Sequence, residues 1–286
     1  RKNRCNSVLS FVTLKHIIIV HTDDMTQLIA ESGSSKTTWK LLDGEELLWS
    51  GRTLGMNPYF TDSIELSRQV HYLSRELPTT TTTIDTIFFY GAGCLNLAMK
   101  NQIKEAFYSV FPNIKVEVDT DLMAAARALF GSKSGLVAIL GTGASCGLFD
   151  GEYFVDYAPS LGFSVGDEGS AGYFGKYIVR DYYYKLLPSD ISSYIESNFD
   201  MDLNNTLHRL YKKKQGNAYI ASFANVLSEF NSHVYTKNLI EKGIKSFVKL
   251  QLNYFDNIEL KRIGIVGTVA SIHRETLSKI LSREGW

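Results

Sequence analysis

Two glycine-rich loops constrain this chain more than any other feature. They are Leu140-Gly-Thr-Gly-Ala-Ser-Cys146 and Gly162-Phe-Ser-Val-Gly-Asp-Glu-Gly-Ser-Ala-Gly172. The first follows an apolar run, Gly135 to Leu140, that reads as a buried strand. The second sets Asp167 and Glu168 between glycines, just ahead of a helical pattern. Glycine lets a backbone turn sharply and approach a ligand closely. Amides at such turns, or at a helix N-terminus, form anion sites. One such loop alone reads as a hairpin turn; two, with acids between the glycines, point to phosphate and metal chemistry.

A third loop, Glu31-Ser-Gly-Ser-Ser-Lys-Thr37, runs from a short strand into a hydroxyl-rich turn and returns as the alternating strand Trp39-Lys-Leu-Leu42. This is a hairpin signal. It lacks the Gly-x-x-x-x-Gly-Lys-Ser/Thr of a Walker loop and the strand-to-helix turn that such a loop needs. A fourth segment, Arg262-Ile-Gly-Ile-Val-Gly-Thr-Val-Ala-Ser271, is an apolar strand broken by glycine that leads into a helix.

The remaining pattern alternates strands and helices. Ser63 to Leu77 has helical spacing and stops before Pro78, Ile84 to Phe89 is a buried strand, and Asn96 to Phe111 is an amphipathic helix. Lys115 to Val118 is a short strand, and Leu122 to Phe130 an alanine-rich helix. Gly147 to Phe154, around Asp150-Gly151, is expected to be the hairpin mate of the 135–140 strand. Helices fill most of 169–256, ahead of a last strand at 262–266. Each half thus opens with strand, phosphate-type turn and strand, which points to two duplicated α/β domains. Residues 1–24 read as an extension foreign to the fold, non-native or disordered. Their apolar stretch is interrupted by Lys15 and His16, and is too short to span a bilayer.

The formal net charge is zero, so nothing favours nucleic acid or an anionic membrane as partner. The three cysteines Cys5, Cys94 and Cys146 form no metal-ligand pair and no disulfide framework, which points to a reducing cytoplasm. Cys146 has no histidine near it in sequence and reads as a small buried residue. Asp121 follows a short strand and opens a helix; it suits either a helix cap or a catalytic base kept ionised by the helix start. Asp119 beside it reads as structural.

Together these segments resemble the N-acetylglucosamine kinase-like branch of the actin/hexokinase/Hsp70-type ATPases, grouped with the BadF/BadG/BcrA/BcrD-type ATPases. The resemblance covers roughly Met25 to the C-terminus. Besides the loops above it rests on Gly55-Met-Asn-Pro58, Tyr90-Gly-Ala-Gly-Cys94, Asp121-Leu-Met-Ala-Ala-Ala-Arg-Ala-Leu129, Leu148-Phe-Asp-Gly151 and Gly267-Thr-Val-Ala270. It implies two ribonuclease H-like (actin-like ATPase) domains, 25–122 and 123–286, facing a central cleft, with the end of the second domain missing. It implies an ATP-dependent kinase of N-acetylglucosamine or a related amino sugar, with ATP and Mg2+ as cofactors; a homodimer stays open. Gly33, Ser34, Ser35 and Lys36 would form one phosphate loop and Gly141, Thr142 and Gly143 the other, with Gly267 and Thr268 on the adenosine side. Asp121 would be the base. Asn57, Asp121, Thr142, Ser145, Gly162 and Asp167 would contact the sugar, and Glu31 and Glu168 would serve the metal.

The chain departs from this pattern at Glu31, where the family has Asp, at Thr38, where the branch often has an acid, and at Ser145, where Asn is expected. These departures motivate a second reading: a catalytically weak sugar or nucleotide sensor. A third, a BadF-type ATPase activator, needs cysteines paired at a dimer interface to hold an iron–sulfur cluster.

Overall fold

The computed structural model describes residues 8–12, 25–33, 36–78, 84–213, 216–255 and 262–286. The threonine run at 79–83 and the turn residues Ser34 and Ser35 lie outside them. The chain divides into two compact units. One is Ile18–Ala128; the other joins Arg1–Ile17 to Leu129–Trp286. The expected boundaries, after 24 and 122, therefore differ from those found.

The strands in chain order are β1 (Val8–Val12), β2 (Thr26–Ser32), β3 (Lys36–Asp43), β4 (Glu46–Leu54), β5 (Thr86–Gly91), β6 (Lys115–Asp119), β7 (Gly135–Leu140), β8 (Ala144–Phe149), β9 (Phe154–Tyr157) and β10 (Arg262–Val266). Helices α1 (Ser63–Glu76), α2 (Leu97–Tyr108) and α3 (Asp121–Phe130) belong to the first half. They are followed by α4 (Gly162–Val165), α5 (Ala171–Tyr183), α6 (Ser189–Asn198), α7 (Leu203–Tyr211), α8 (Gly216–Ser222), α9 (Asn225–Glu229), α10 (Val234–Phe247), α11 (Thr268–Ile272) and α12 (Arg274–Arg283).

The two sheets share one topology. The first runs β4-β3-β2-β5-β6, and the second, read in the same sense, β9-β8-β7-β10-β1. Each is a three-stranded antiparallel meander extended by two parallel strands. The fifth place is filled by β6 in one sheet and by β1 in the other. Val8–Val12 pairs in parallel with β10, so part of the segment expected to stand outside the fold supplies this edge strand. Lys15 and His16, which interrupt the apolar run in the sequence, lie outside the described residues.

The central strands β5 and β7 are buried at every position, as strands covered on both faces must be. In the first unit Trp39, Phe89 and Phe107 meet with ring centroids 5.8–6.3 Å apart, tilted or edge-to-face. Such pairs add about 0.5–1.5 kcal/mol each beyond their buried area. Helix α1 is capped by Asp62, whose carboxylate accepts from Glu65 N at 2.9 Å. It stops at Leu77 because the residue before a proline is driven to extended backbone; here ψ is 141°. In the second unit α5 packs on α8 through Gly175, where a Cβ would lie 1.8 Å from the Ile220 carbonyl oxygen.

The partner of β7 differs from expectation. It is Ala144–Phe149, which leaves directly from the Gly-Thr-Gly turn, and Asp150-Gly151 turns the chain on into β9. Gly151, at φ 118° and tight against the Ser132 carbonyl, makes that second turn obligatory.

Candidate active site

In the Ile18–Ala128 unit, β2 and β3 form the expected hairpin, closed by Gly33 N donating to Lys36 O at 2.9 Å. Ser32, just before the turn, is buried. Its hydroxyl bonds Thr37 Oγ1 at 2.8 Å and accepts from Met56 N at 3.0 Å, which ties the Gly55–Pro58 loop to the hairpin. Asn57 is 5% exposed, and its Oδ1 accepts from Tyr59 N at 3.0 Å, so it does fasten a turn. Gly93, at φ 84°, crosses that oxygen so closely that a Cβ there would lie 2.3 Å from it. The glycine of Tyr90-Gly-Ala-Gly-Cys94 thus makes room for the Asn57 amide.

Asp121 is the first residue of α3, and Thr120 caps the helix: its hydroxyl accepts from Met123 N at 3.1 Å. Asp121 is thereby released from the capping role its sequence position offered, and its Oδ1 accepts from Leu122 N at 2.9 Å. Burial pushes its carboxyl up to about 6, against the pull of the amides at the helix start. The helix start therefore does not hold it in the ordinary carboxylate range, as the sequence led one to expect; desolvation wins. Glu31 is pushed up to about 7, first by burial and then by the Asp121 charge, with Lys36 opposing. Glu31 thus lies in the field of the Asp121 carboxylate, beside Lys36 and the hydroxyl-rich turn. Asp119 is held by Lys100 at 3.0 Å. Replacing Thr120 with alanine should lower stability by about 1 kcal/mol through loss of the cap, read as a lower urea midpoint.

In the other unit the two glycine loops are knitted together. Ala171 N donates to Gly141 O and Gly172 N to Thr142 O, both at 2.9 Å, while Tyr173 N bonds the Ser170 hydroxyl at 3.1 Å. The first amides of α5 are therefore engaged by protein oxygens, so the start of this helix is not the anion site that its glycines suggested. Asp167 is 7% exposed and adopts φ 60°, a left-handed conformation uncommon outside glycine. Its Oδ1 accepts from Ala144 N at 3.2 Å, and its carboxylate lies so near Gly143 that a Cβ there would be 2.9 Å from Oδ2. Burial raises its carboxyl, opposed by that amide and by Lys176. Gly162 opens α4 at φ 70°, and Ser145, partly buried on β8, pairs with Ile139. Gly267, at φ 110°, precedes Thr268 and α11 and lies against the backbone of Leu140, so it joins the Gly141–Gly143 turn.

Glu31 and Glu168 fall in different units. Glu168 lines a pocket with Lys176 and Arg180, a cationic setting and not that of a metal ligand. Among the described residues no group of three or more His, Cys, Asp or Glu side chains could hold a metal ion. Cys94 and Cys146 are buried, in different units, and burial pushes both thiols up, Cys94 to about 12. Neither is poised to hold a cluster, which counts against the activator reading. Among the described residues no helix is long and apolar enough to cross a membrane.

No protein-family model and no curated protein matches the chain. Solved structures do. A candidate N-acetylglucosamine kinase from Porphyromonas gingivalis superposes with TM-score 0.83 at 27% identity, over 90% of this chain and 91% of that one. A second candidate N-acetylglucosamine kinase, from Chromobacterium violaceum, gives 0.69 at 16% identity, over 91% and 93%. A ROK family glucokinase from Streptomyces griseus, in complex with glucose and AMPPNP, gives 0.56 at 12% identity, over 91% and 89%, and bears on the fold alone. With its repeated five-stranded sheets, the chain has the α/β fold of the actin-like ATPases and sugar kinases.

Proposed function

We propose that this protein is an ATP-dependent kinase that phosphorylates a hydroxyl of N-acetylglucosamine or a related amino sugar. The observation that carries this reading is Asp121: freed from capping by Thr120, half-buried, and with a carboxyl pushed up to about 6, it is matched to accept a proton at neutral pH. Phosphoryl transfer asks mainly for positioning, charge neutralisation and such a base. Asp121 takes the proton of the acceptor hydroxyl as its oxygen attacks the γ-phosphorus and ADP departs. The backbones of Gly33, Gly141, Thr142 and Gly143, with Ser34, Ser35 and Lys36, hold the phosphates, and Gly267 and Thr268 meet the adenosine side. Asn57, Thr142, Ser145, Gly162 and Asp167 orient the sugar.

Magnesium fits Glu31: a half-buried carboxylate whose proton is held by desolvation and then by the Asp121 charge gains from a cation, and magnesium takes only one or two protein carboxylates besides phosphate and water. When bound it would neutralise charge on the β- and γ-phosphates. Glu168 drops from that role because of its cationic neighbours.

The test is ADP release with ATP and magnesium across N-acetylglucosamine, glucosamine, N-acetylmannosamine and glucose. Release stimulated at least tenfold by one amino sugar is expected. Binding of sugar by calorimetry with no release from any of them would move the assignment to a sensor.

A further inference from the structure

A pocket of about 340 Å3 opens beside the second glycine loop, lined by Gly166, Glu168, Tyr173, Lys176, Tyr177 and Arg180 among others. None of the last four belongs to the site described above. The Arg180 guanidinium lies 4.4 Å from the centre of the Tyr177 ring and the Lys242 ammonium, from α10, lies 4.3 Å from it. Lys176 sits 5.9 Å from the Tyr173 ring centre and donates to Gly166 O at 3.3 Å. The carboxylates facing this cluster are Glu168 and Asp181. Asp181 is committed to Arg180 at 2.6 Å and to the Tyr235 hydroxyl at 2.8 Å. That leaves Lys176 and Lys242 opposite Glu168. The Tyr177 hydroxyl is held below the ordinary tyrosine range by a hydrogen bond from Tyr173 and by Lys242 and Arg180, so the excess positive charge is felt at the ring.

Two lysines beside two phenol rings, with Arg180 already paired to Asp181, match a phosphate group. Glu168, an acceptor only, suits the hydroxyls of a sugar attached to that phosphate. We infer that this pocket binds a phosphorylated sugar, its phosphate held by Lys176 and Lys242 and its hydroxyls accepted by Glu168. Lys176 is also the handle on the second loop. Its bond to Gly166 O restrains the peptide leading into Asp167, whose left-handed backbone needs such support. A phosphate that draws Lys176 away loosens Asp167. On the kinase reading, which this consequence rests on, the ligand raises the KM for the acceptor sugar and leaves kcat unchanged.

The binding step is tested apart from any activity. Tyrosine ring carbons labelled with 13C are followed by NMR as the full chain is titrated with glucose 6-phosphate, inorganic phosphate or glucose. Glucose 6-phosphate should move the Tyr177 signal and raise its titration point, because the anion offsets the cations. Lys176→Met and Lys242→Met, at a partly buried and an exposed position, should each weaken this binding by about tenfold, the loss of one charge-assisted contact. Asp121→Asn should leave it unchanged. A Tyr177 signal that ignores glucose 6-phosphate, or that moves equally with glucose, overturns the proposal. A shift with inorganic phosphate alone and none with the ester also overturns it, since the site then takes a bare anion. If Tyr177 responds as expected but no sugar-dependent ADP release is found, the pocket stands and the kinase reading fails.

Discussion

Asp121→Asn should cut turnover by about 10²–10⁴-fold, the range for a lost general base, with little change in sugar affinity. The substitution keeps the size of the side chain and an oxygen to accept from Leu122 N, so α3 and its Thr120 cap are undisturbed. The wild-type rate should rise with pH as Asp121 and Glu31 lose their protons, at about 6 and about 7. The same shifts fix a stability effect. Both carboxyls bind their protons more tightly folded than unfolded, so between about pH 4 and 7 the native state holds protons that the unfolded chain has released, and stability falls as pH rises. The penalty is fully present above the folded values and absent below the unfolded ones. Asp121→Asn should therefore be more stable than the wild type at pH 8, by up to about 3 kcal/mol for a shift of this size, and nearly equal to it at pH 4. Steady-state kinetics and urea melts at the two pH values check both halves. A variant that keeps turnover would remove Asp121 from the chemistry; one that loses turnover without gaining stability would show that the carboxylate is less buried than its surroundings indicate.

How much of this was legible in the sequence varies by residue. The apolar runs at 86–91 and 135–140 announced buried central strands, and the hairpin around Gly33 was readable from its polar turn between alternating segments. The mate of β7 was misplaced because Gly147-Leu-Phe-Asp-Gly looks like a strand leading to a turn, whereas the turn at Gly141–Gly143 is short enough for pairing to begin at Ala144. The place of Val8–Val12 depends on a slot beside β10, far away in the chain, which no local pattern displays. The engaged amides of α5 were hidden for the same reason: their acceptors are carbonyls of Gly141 and Thr142, in another loop. At Asp121 the preceding threonine was the missed signal. A Thr followed by Asp at a helix start offers two caps, and once Thr120 takes the bond the acid is left for other work. Lys176 and Lys242 carry no motif; only the packing of α10 beside α5 brings Lys242 to the Tyr177 ring, next to the Tyr173 ring that Lys176 covers.

Gly267→Ala should be the most damaging single-methyl change on the nucleotide side. In the sequence this glycine looks like a phosphate-turn residue, chosen so that a ligand can come close. The structure gives it a second constraint. At φ 110° it lies outside the conformations open to alanine, and a Cβ would lie 2.3 Å from the Leu140 carbonyl oxygen and 2.6 Å from its carbon. Those are backbone atoms at the end of a buried strand, so no side chain can swing aside. Backbone strain and the forced separation of β10 from β7 should together lower stability by about 3 kcal/mol or more. Gly285→Ala supplies the comparison: its φ is 82° and nothing lies within 4 Å of the added carbon, so it should cost only about 1 kcal/mol. Because Leu140 leads straight into the Gly141–Gly143 turn, the displacement should also weaken ATP, and, through Thr142, the sugar on the proposed assignment. Thermal melts of both variants, with calorimetry of an ATP analogue and of the sugar, separate the causes. If Gly267→Ala melts early but binds nucleotide as the wild type does, the glycine serves strand packing alone. Nucleotide affinity lost at temperatures where the variant is still folded would tie the Leu140 contact to the phosphate turn.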